Sequence, residues 1–384
     1  MPFLIAILIF IRTLVSGQIN PALDLAVDIL LFLCCAASFV LEKKIRKTPY
    51  DKIIFVFILS LLISCVFSSQ KLNSIIQFNK YLTCIFIFYY FLLEKKRNNF
   101  LPIVIISALF ISLYSLFHFF VISRYALCYL IREPNADKFT IDFFLKNRAF
   151  YPFVSPNLLG GYLTIVLAIS LGFIFNRTKQ FLSKKSDLLL FISSISFLVI
   201  LFTLFFTNSL GVWGALFVAC GLCFISRRKL SKRGIICFWI IFIFLAAIVL
   251  IRYNSDRCFS GLMITVSDRL VYWKDSLTVI SKHIFAGVGL GNFSIEGSTY
   301  AYNSYLQFFA ETGILGFVSL LGIAFIFIKN GSKKIRNSKD YLLISLFVAG
   351  TAFLFQNILD FSFFITQISF LWWMALGFVL SEDK

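Results

Sequence analysis

Residues 188–206 read LLLFISSISFLVILFTLFF, a run in which no side chain is charged. A hydrocarbon core about 30 Å thick is crossed by about 20 apolar residues in a helix. Strands of a membrane barrel are shorter and alternate between apolar and polar positions, a pattern that this run lacks. Because backbone groups in lipid must be hydrogen-bonded internally, the run predicts a membrane-spanning helix.

Similar runs continue along the whole chain of 384 residues, which is 60% apolar and only 14% charged. That composition excludes an ordinary soluble domain. The predicted fold class is all-α, a polytopic membrane helical bundle of about 12 transmembrane helices in one integral-membrane domain over residues 1–384. The first run has neither a basic start nor a small-residue cleavage site, so we interpret it as a retained span. The predicted spans lie near 3–15, 22–41, 53–69, 73–93, 100–122, 155–175, 188–206, 209–225, 235–251, 302–328, 341–359 and 363–380.

The charged residues predict the orientation of this bundle. Short connections after spans two, four, six, eight and ten hold 22 lysines and arginines, whereas the short connections on the other side hold only Lys71. Basic loops stay in the cytoplasm, so both termini are expected there. The net charge of +18 therefore points to membrane lipids as partners and not to nucleic acid, because the charges are spread over short loops.

Two longer segments, residues 123–154 and 252–301, fall on the outer side and form two large extracytoplasmic loops. Together they hold ten basic residues. The positive-inside rule counts short loops, so long outer loops can carry such charge. A site for an anionic ligand needs positive charge there, and we expect the active surface on this face.

The second loop contains a predicted interfacial helix near 268–283. Its apolar positions Leu270, Trp273, Leu277 and Ile280 recur at helical spacing, and Ser267 is a plausible N-cap. Arg269 precedes Trp273 by one turn and is expected to face a polar cavity, with a solvated surface charge as the alternative. Lys274 follows directly.

Glycines and polar residues follow this helix. The segment Gly287-x-Gly289-x-Gly291 predicts a tight turn, whose backbone N–H groups offer an anion site, and lacks the context of a dinucleotide fingerprint. Glu311 lies near the membrane, where an acid usually faces the interior or a cavity. Lys80 lies about two turns inside the fourth span, so we expect a partner or a cavity for it as well.

Four pieces of the chain together resemble the O-antigen ligase and polymerase family. They are Arg148 followed by Pro156-Asn157, the Thr207-Asn208-Ser209 segment with Trp213, Arg269 and Trp273 leading to the glycine turn, and Asn303 followed by Gly313-x-x-Gly316. Two positions depart from the family pattern. Tyr302 stands where the ligases usually have histidine, and Leu210 stands where arginine usually follows the Thr-x-Ser segment.

The resemblance implies a metal-independent, inverting glycosyltransferase without a cofactor, active on the periplasmic face of the bacterial inner membrane. The donor would be a glycan linked to undecaprenyl diphosphate. The acceptor would be lipid A-core for a ligase or another carrier-linked glycan for a polymerase. Catalytic roles are implied for Arg148, Arg269, Tyr302, Asn303 and Glu311, and substrate binding for Lys80, Asn157, Trp273, Lys274, Gly289 and Gly291.

Three alternatives stay open from the sequence. A polymerase of the same family differs from a ligase only in its acceptor. A transporter of lipid-linked glycan would account for Lys80 and Glu311, although internal repeats are not evident. A non-catalytic assembly partner would account for Tyr302, because a tyrosine with a pKa near 10 is a poor base at neutral pH unless nearby arginines lower it.

Overall fold

The computed structural model describes residues 1–41, 47–94, 97–133, 137–181, 188–227, 235–236, 239–240, 242–243, 246–247 and 258–381. Within these ranges every regular element is a helix, which confirms the predicted all-α class. The helices are α1 (Pro2–Leu14), α2 (Pro21–Leu41), α3 (Asp51–Phe67), α4 (Lys71–Leu93), α5 (Leu101–Phe117), α6 (Ser123–Arg132), α7 (Lys138–Leu145), α8 (Pro156–Phe181), α9 (Leu188–Thr207), α10 (Leu210–Ser226), α11 (Cys258–Lys282), α12 (Ser304–Ile335), α13 (Tyr341–Gln356) and α14 (Thr366–Leu380).

The helices account for the predicted spans with one exception. Each predicted span coincides with a described helix apart from the ninth, near 235–251, most of which lies outside the described residues. The predicted number of about 12 spans is not confirmed. Six described helices are long and apolar enough to cross a membrane, and four shorter apolar helices accompany them. The six are Pro21–Leu41, Lys71–Leu93, Asn98–Arg132, Pro156–Thr178, Leu188–Thr207 and Ser304–Ile335.

Helix α14 forms the centre of the bundle. All of its residues are buried, including Trp372 and Trp373, and it packs against α4 and α13. Gly377 allows α14 to approach α4 closely, because a Cβ at this position would lie 2.5 Å from the carbonyl oxygen of Phe88. A helix that is apolar on every face has no surface to offer to water, so it must be enclosed by other helices.

The connections between helices gather at two ends. At one end the N–H of Ala149 donates to the carbonyl oxygen of Phe206, and the N–H of Ser304 donates to that of Asn357. At the other end the side chain of Asn176 donates to Asp340, and Arg227 donates to the carbonyl oxygen of Ser338. The described parts of the segments predicted to face outward thus meet at one end, which we call the outer end, and the described residues beside the basic connections, Asn176, Arg227 and Ser338, lie at the opposite end.

A cluster of buried charges joins the first two helices to α4. The guanidinium of Arg12 lies 2.7 Å from Asp24 and 3.0 Å from Asp28, and the ammonium of Lys80 lies 3.1 Å from Asp24. Lys80 therefore has the partner that a lysine inside a span requires. Two cations face two carboxylates, so this cluster is formally neutral, as buried charges need to be.

Candidate functional site

Arg148 is held at the outer end by the segment that joins α9 to α10. Its Nε donates to the carbonyl oxygen of Thr207 over 2.7 Å, and its Nη2 donates to Oδ1 of Asn157 over 3.1 Å. The hydroxyl of Ser209 donates to the same Oδ1 over 2.8 Å. Arg148 and Asn157 from the first outer segment thus lie beside the Thr207-Asn208-Ser209 segment.

Gln356, at the end of α13, extends this network to Asp360. Its Nε2 donates to the carbonyl oxygen of Asn157 over 3.0 Å and to Oδ2 of Asp360 over 3.2 Å. The other carboxylate oxygen of Asp360 accepts from the N–H of Phe361 over 2.8 Å. Gly161 makes room for the amide, since a Cβ there would lie 2.4 Å from Nε2 of Gln356.

Arg269 and Trp273 direct two unpaired donors toward this region. Their Nε and Nε1 atoms are buried and have no hydrogen-bond partner among the described residues. Trp273 follows Arg269 by four positions along α11, so both side chains lie on one face of the helix. Burial lowers the pKa of Arg269, and the charge of the nearby Asp360 carboxylate acts in the opposite direction.

Asp360 is the buried carboxylate of the site, and the sequence did not predict it. Burial raises its pKa to about 6, while the hydrogen bonds from Phe361 and Gln356 and the charge of Arg269 act in the opposite direction. A group with this pKa is mostly ionised at neutral pH and still basic enough to accept a proton. A single acid in the short connection between two apolar spans was the only signal in the sequence.

Tyr302 lies against aromatic neighbours. Its ring stacks on Tyr272 with centroids 5.6 Å apart and meets the edge of Phe361 at 5.3 Å. Burial raises the pKa of Tyr302, so the phenol stays protonated at neutral pH. Its φ of 49° is in the left-handed region that bulky residues rarely adopt. The charge of Arg269 acts to lower this pKa but does not outweigh the effect of burial.

Asn303 begins α12 as its N-cap. Its Oδ1 accepts from the N–H groups of Tyr305 and Leu306 over 3.0 and 3.1 Å. The predicted N-cap of the other site helix was wrong, because α11 begins at Cys258 and Ser267 lies inside it. The helix near 268–283 therefore exists but starts earlier than predicted.

Glu311 is bound by the glycine turn. Gly287, Gly289 and Gly291 have φ values of 71°, 101° and 69°, which confirms a tight turn. The N–H of Gly291 donates to one carboxylate oxygen of Glu311 over 2.8 Å, and Gln307 donates to the other over 3.0 Å. The turn does bind an anion, but that anion is the protein's own carboxylate, which is 1% exposed.

A kink in α12 makes this contact possible. Gly313 has φ 68° and ψ −171°, which interrupts the helix. The N–H groups of Val288 and Gly289 donate to the carbonyl oxygens of Ala310 and Glu311, and the N–H of Ile314 donates to that of Ile284. The end of α11 is thereby fixed to α12, and the N–H groups of Gly289 and Gly291 are both used within the protein.

The remaining predicted site residues do not join this network. Lys80 is paired with Asp24 in the buried charge cluster. Lys274 is exposed on α11. Two apolar cavities also lie elsewhere. One of about 360 Å³ is lined by Cys220, Cys223 and Arg227, and one of about 460 Å³ by Ser16, Tyr114 and Tyr151 among others. In the described part of the chain, no His, Cys, Asp and Glu side chains group as a metal site would require.

An all-helical fold with long apolar helices, and with polar side chains gathered at one end, defines a multi-pass membrane protein. Residues 195–321 match the family model described as O-Antigen ligase, which confirms the predicted resemblance to the O-antigen ligase and polymerase family. That family is a glycosyltransferase-like group of enzymes. The matched range includes Arg269, Asn303 and the glycine turn, whereas Arg148 and Asp360 lie outside it. Neither the curated proteins nor the solved structures include a match to the chain.

The kink in α12 can be tested with a pair of glycine variants. Gly313→Ala should destabilise the protein by about 1–3 kcal/mol from the positive φ alone, and its Cβ would lie 2.1 Å from the carbonyl oxygen of Phe285. Gly214→Ala is the matched control, because a Cβ there meets no atom within 4 Å. Thermal unfolding in detergent measures both, and equal melting temperatures would contradict the described kink.

Proposed function

We propose that the chain is an O-antigen ligase, an inverting and metal-independent glycosyltransferase of the bacterial inner membrane. It would transfer a glycan from undecaprenyl diphosphate to a sugar hydroxyl of lipid A-core at the periplasmic face, with both termini in the cytoplasm. The observation that carries the proposal is the buried, unpaired Nε of Arg269, on which the charge of Asp360 acts, with the unpaired indole N–H of Trp273 one helical turn further along α11. The family match over residues 195–321 supports the same assignment.

Arg269 suits the leaving group of this reaction. As the glycosidic bond to the diphosphate breaks, negative charge grows on the diphosphate and positive charge grows on the sugar. A guanidinium stays charged and can bind two phosphate oxygens at once. Because Arg269 is largely buried, its charge is already in place before the reaction, and preorganised charge of this kind accounts for much of enzymatic catalysis.

Arg148 and Asn157 form the second part of the proposed diphosphate site. They connect through Gln356 to the carboxylate of Asp360, whose charge acts on Arg269, so Asp360 is near both arginines. Trp273 would donate its indole N–H to the diphosphate, and the exposed Lys274 would add positive charge on the same helix. We assign Glu311, Gly289 and Gly291 to positioning α11, since their hydrogen-bonding groups are occupied within the protein.

Asp360 is the proposed general base. The acceptor hydroxyl would form a bond to the anomeric carbon, transfer its proton to the Asp360 carboxylate and displace the lipid diphosphate from the opposite face. Tyr302 remains protonated, and with Asn303 it would orient the acceptor sugar. The reaction then balances without a metal, because the diphosphate leaves as an anion held by arginine.

Arg269→Ala should reduce glycan transfer by a factor of about 10²–10³ or more, because one preorganised donor to the developing charge is lost. Arg269→Lys keeps the charge but not the bidentate geometry, so it should restore only part of the activity. Lys282→Ala, at an exposed position on the same helix, is the control. Transfer is measured with purified protein, a lipid-linked glycan and a lipid acceptor. Normal transfer by a stably folded Arg269→Ala variant would remove Arg269 from the site.

The pH dependence of transfer tests the base. Asp360 accepts a proton only when it is ionised, so activity should fall by about tenfold per pH unit below its pKa, which is about 6. Asp360→Asn should lower transfer at neutral pH and abolish this acidic limb. An acidic limb that is unchanged in Asp360→Asn would show that another group acts as the base.

The lipopolysaccharide pattern of a deletion strain tests the overall proposal. Loss of every glycan-bearing band, together with accumulation of carrier-linked polymer, is the result expected for a ligase. A single-repeat band in place of the ladder would identify a polymerase instead. An unchanged pattern would contradict both assignments.

A further inference from the structure

Helix α6 rises beyond the outer end of the bundle. Asn98–Arg132 is continuous over 35 residues, and at about 1.5 Å per residue it is about 52 Å long. A hydrocarbon core measures about 30 Å. The rings of Phe119 and Phe120 lie 5.0 and 5.3 Å from that of Phe206, which is next to the last residue of α9. The ten residues of α6 therefore stand above the outer end of α9.

One face of α6 carries tyrosines and arginines. All ten residues of this helix are at least partly exposed, and Tyr125 and Tyr129 are 75% and 67% exposed. Arg124 and Arg132 are also exposed. The spacing of these four residues places them within one side of a helix. We call Arg124, Tyr125, Tyr129 and Arg132 the Tyr/Arg stripe.

The segment that carries the stripe leaves the bundle and rejoins it close to Arg148. After α7 the chain returns to the bundle, where the N–H of Ala149 donates to the carbonyl oxygen of Phe206 and Arg148 donates to that of Thr207. The segment between Phe120 and Ala149 thus has both of its ends in contact with Phe206. A glycan that extends outward from a lipid diphosphate held near Arg148 must pass this helix.

We propose that the Tyr/Arg stripe binds the anionic glycan portion of a lipid-linked substrate. This inference rests on the proposed function and adds that the bound glycan carries phosphate or carboxylate groups. Tyrosine offers a large flat surface for the apolar face of a sugar ring together with a hydroxyl for hydrogen bonds. Guanidinium groups bind phosphate and carboxylate in bidentate fashion.

The height of the stripe favours a glycan over lipid headgroups, which carry the same phosphate chemistry. Ten helical residues rise about 15 Å. The headgroup region extends only about 5–8 Å beyond the hydrocarbon core on each side. With α6 continuing α5 along the membrane normal, as the proposal has it, Arg132 at the tip of α6 would lie above the headgroups, at the level where the sugars of a glycolipid stand.

Direct binding tests the stripe without requiring transfer. The wild-type protein in nanodiscs of neutral lipid is titrated with a fluorescent, phosphorylated core oligosaccharide freed of its lipid, and with the same oligosaccharide after phosphatase treatment. Arg124→Gln/Arg132→Gln should weaken binding of the phosphorylated form about tenfold or more and leave little difference between the two forms. Tyr125→Ala/Tyr129→Ala should weaken binding of both forms. The control Lys333→Gln/Arg336→Gln makes the same change in charge at the opposite end, where both residues are exposed, and should bind as the wild type does.

Three outcomes separate the possibilities, provided that the variants melt as the wild type does. Unchanged binding in both stripe variants would overturn the proposal. The binding is also measured in nanodiscs that contain anionic phospholipid. If this lipid displaces the oligosaccharide, the stripe binds lipid headgroups and the proposal is overturned. If the stripe variants lose binding while the wild-type protein transfers no glycan in the transfer assay, the stripe would be supported and the proposed function contradicted.

Discussion

The hydrogen bonds from Arg148 through Asn157 and Gln356 to Asp360 join segments that lie far apart in sequence. They connect the start of α8, the turn between α9 and α10, and the end of α13. Such a network is favoured at the end of the bundle, because spanning helices use their own backbone groups and carry few polar side chains in lipid. The location of the site therefore follows from the constraint that makes the protein helical.

The structure uses buried arginine in two different ways. Arg12 lies between Asp24 and Asp28 at 2.7 and 3.0 Å, so its charge is neutralised within the protein. Arg269 differs because no carboxylate of the described residues forms a close ion pair with it: its buried Nε has no partner there, and the nearby Asp360 acts on it from a greater distance. A buried donor without a partner carries a cost in free energy. Binding of an anionic ligand would recover that cost, which is the physical basis for proposing that Arg269 contacts the substrate.

Much of the fold was predictable, because apolar runs of sufficient length leave the backbone no alternative to a helix. The helix that carries Arg269 and Trp273 was also predictable from the spacing of its apolar residues. Other features depended on contacts between distant residues. Asp360 stood alone in a short connection without any motif, and the binding of Glu311 by Gly291 required the kink at Gly313. The sequence predicts a loop over residues 123–154, because residues 123–132 are less apolar than a span; the structure instead extends α5 into α6 there.

The most direct test of the account is a cryo-electron microscopy structure of the protein with a bound polyprenyl diphosphate. The account predicts diphosphate density at the outer end, within hydrogen-bond distance of the Arg269 guanidinium and the Trp273 indole. Density in the apolar cavity at the opposite end, beside Arg227, would contradict it. So would a diphosphate that contacts the outer end without touching Arg269.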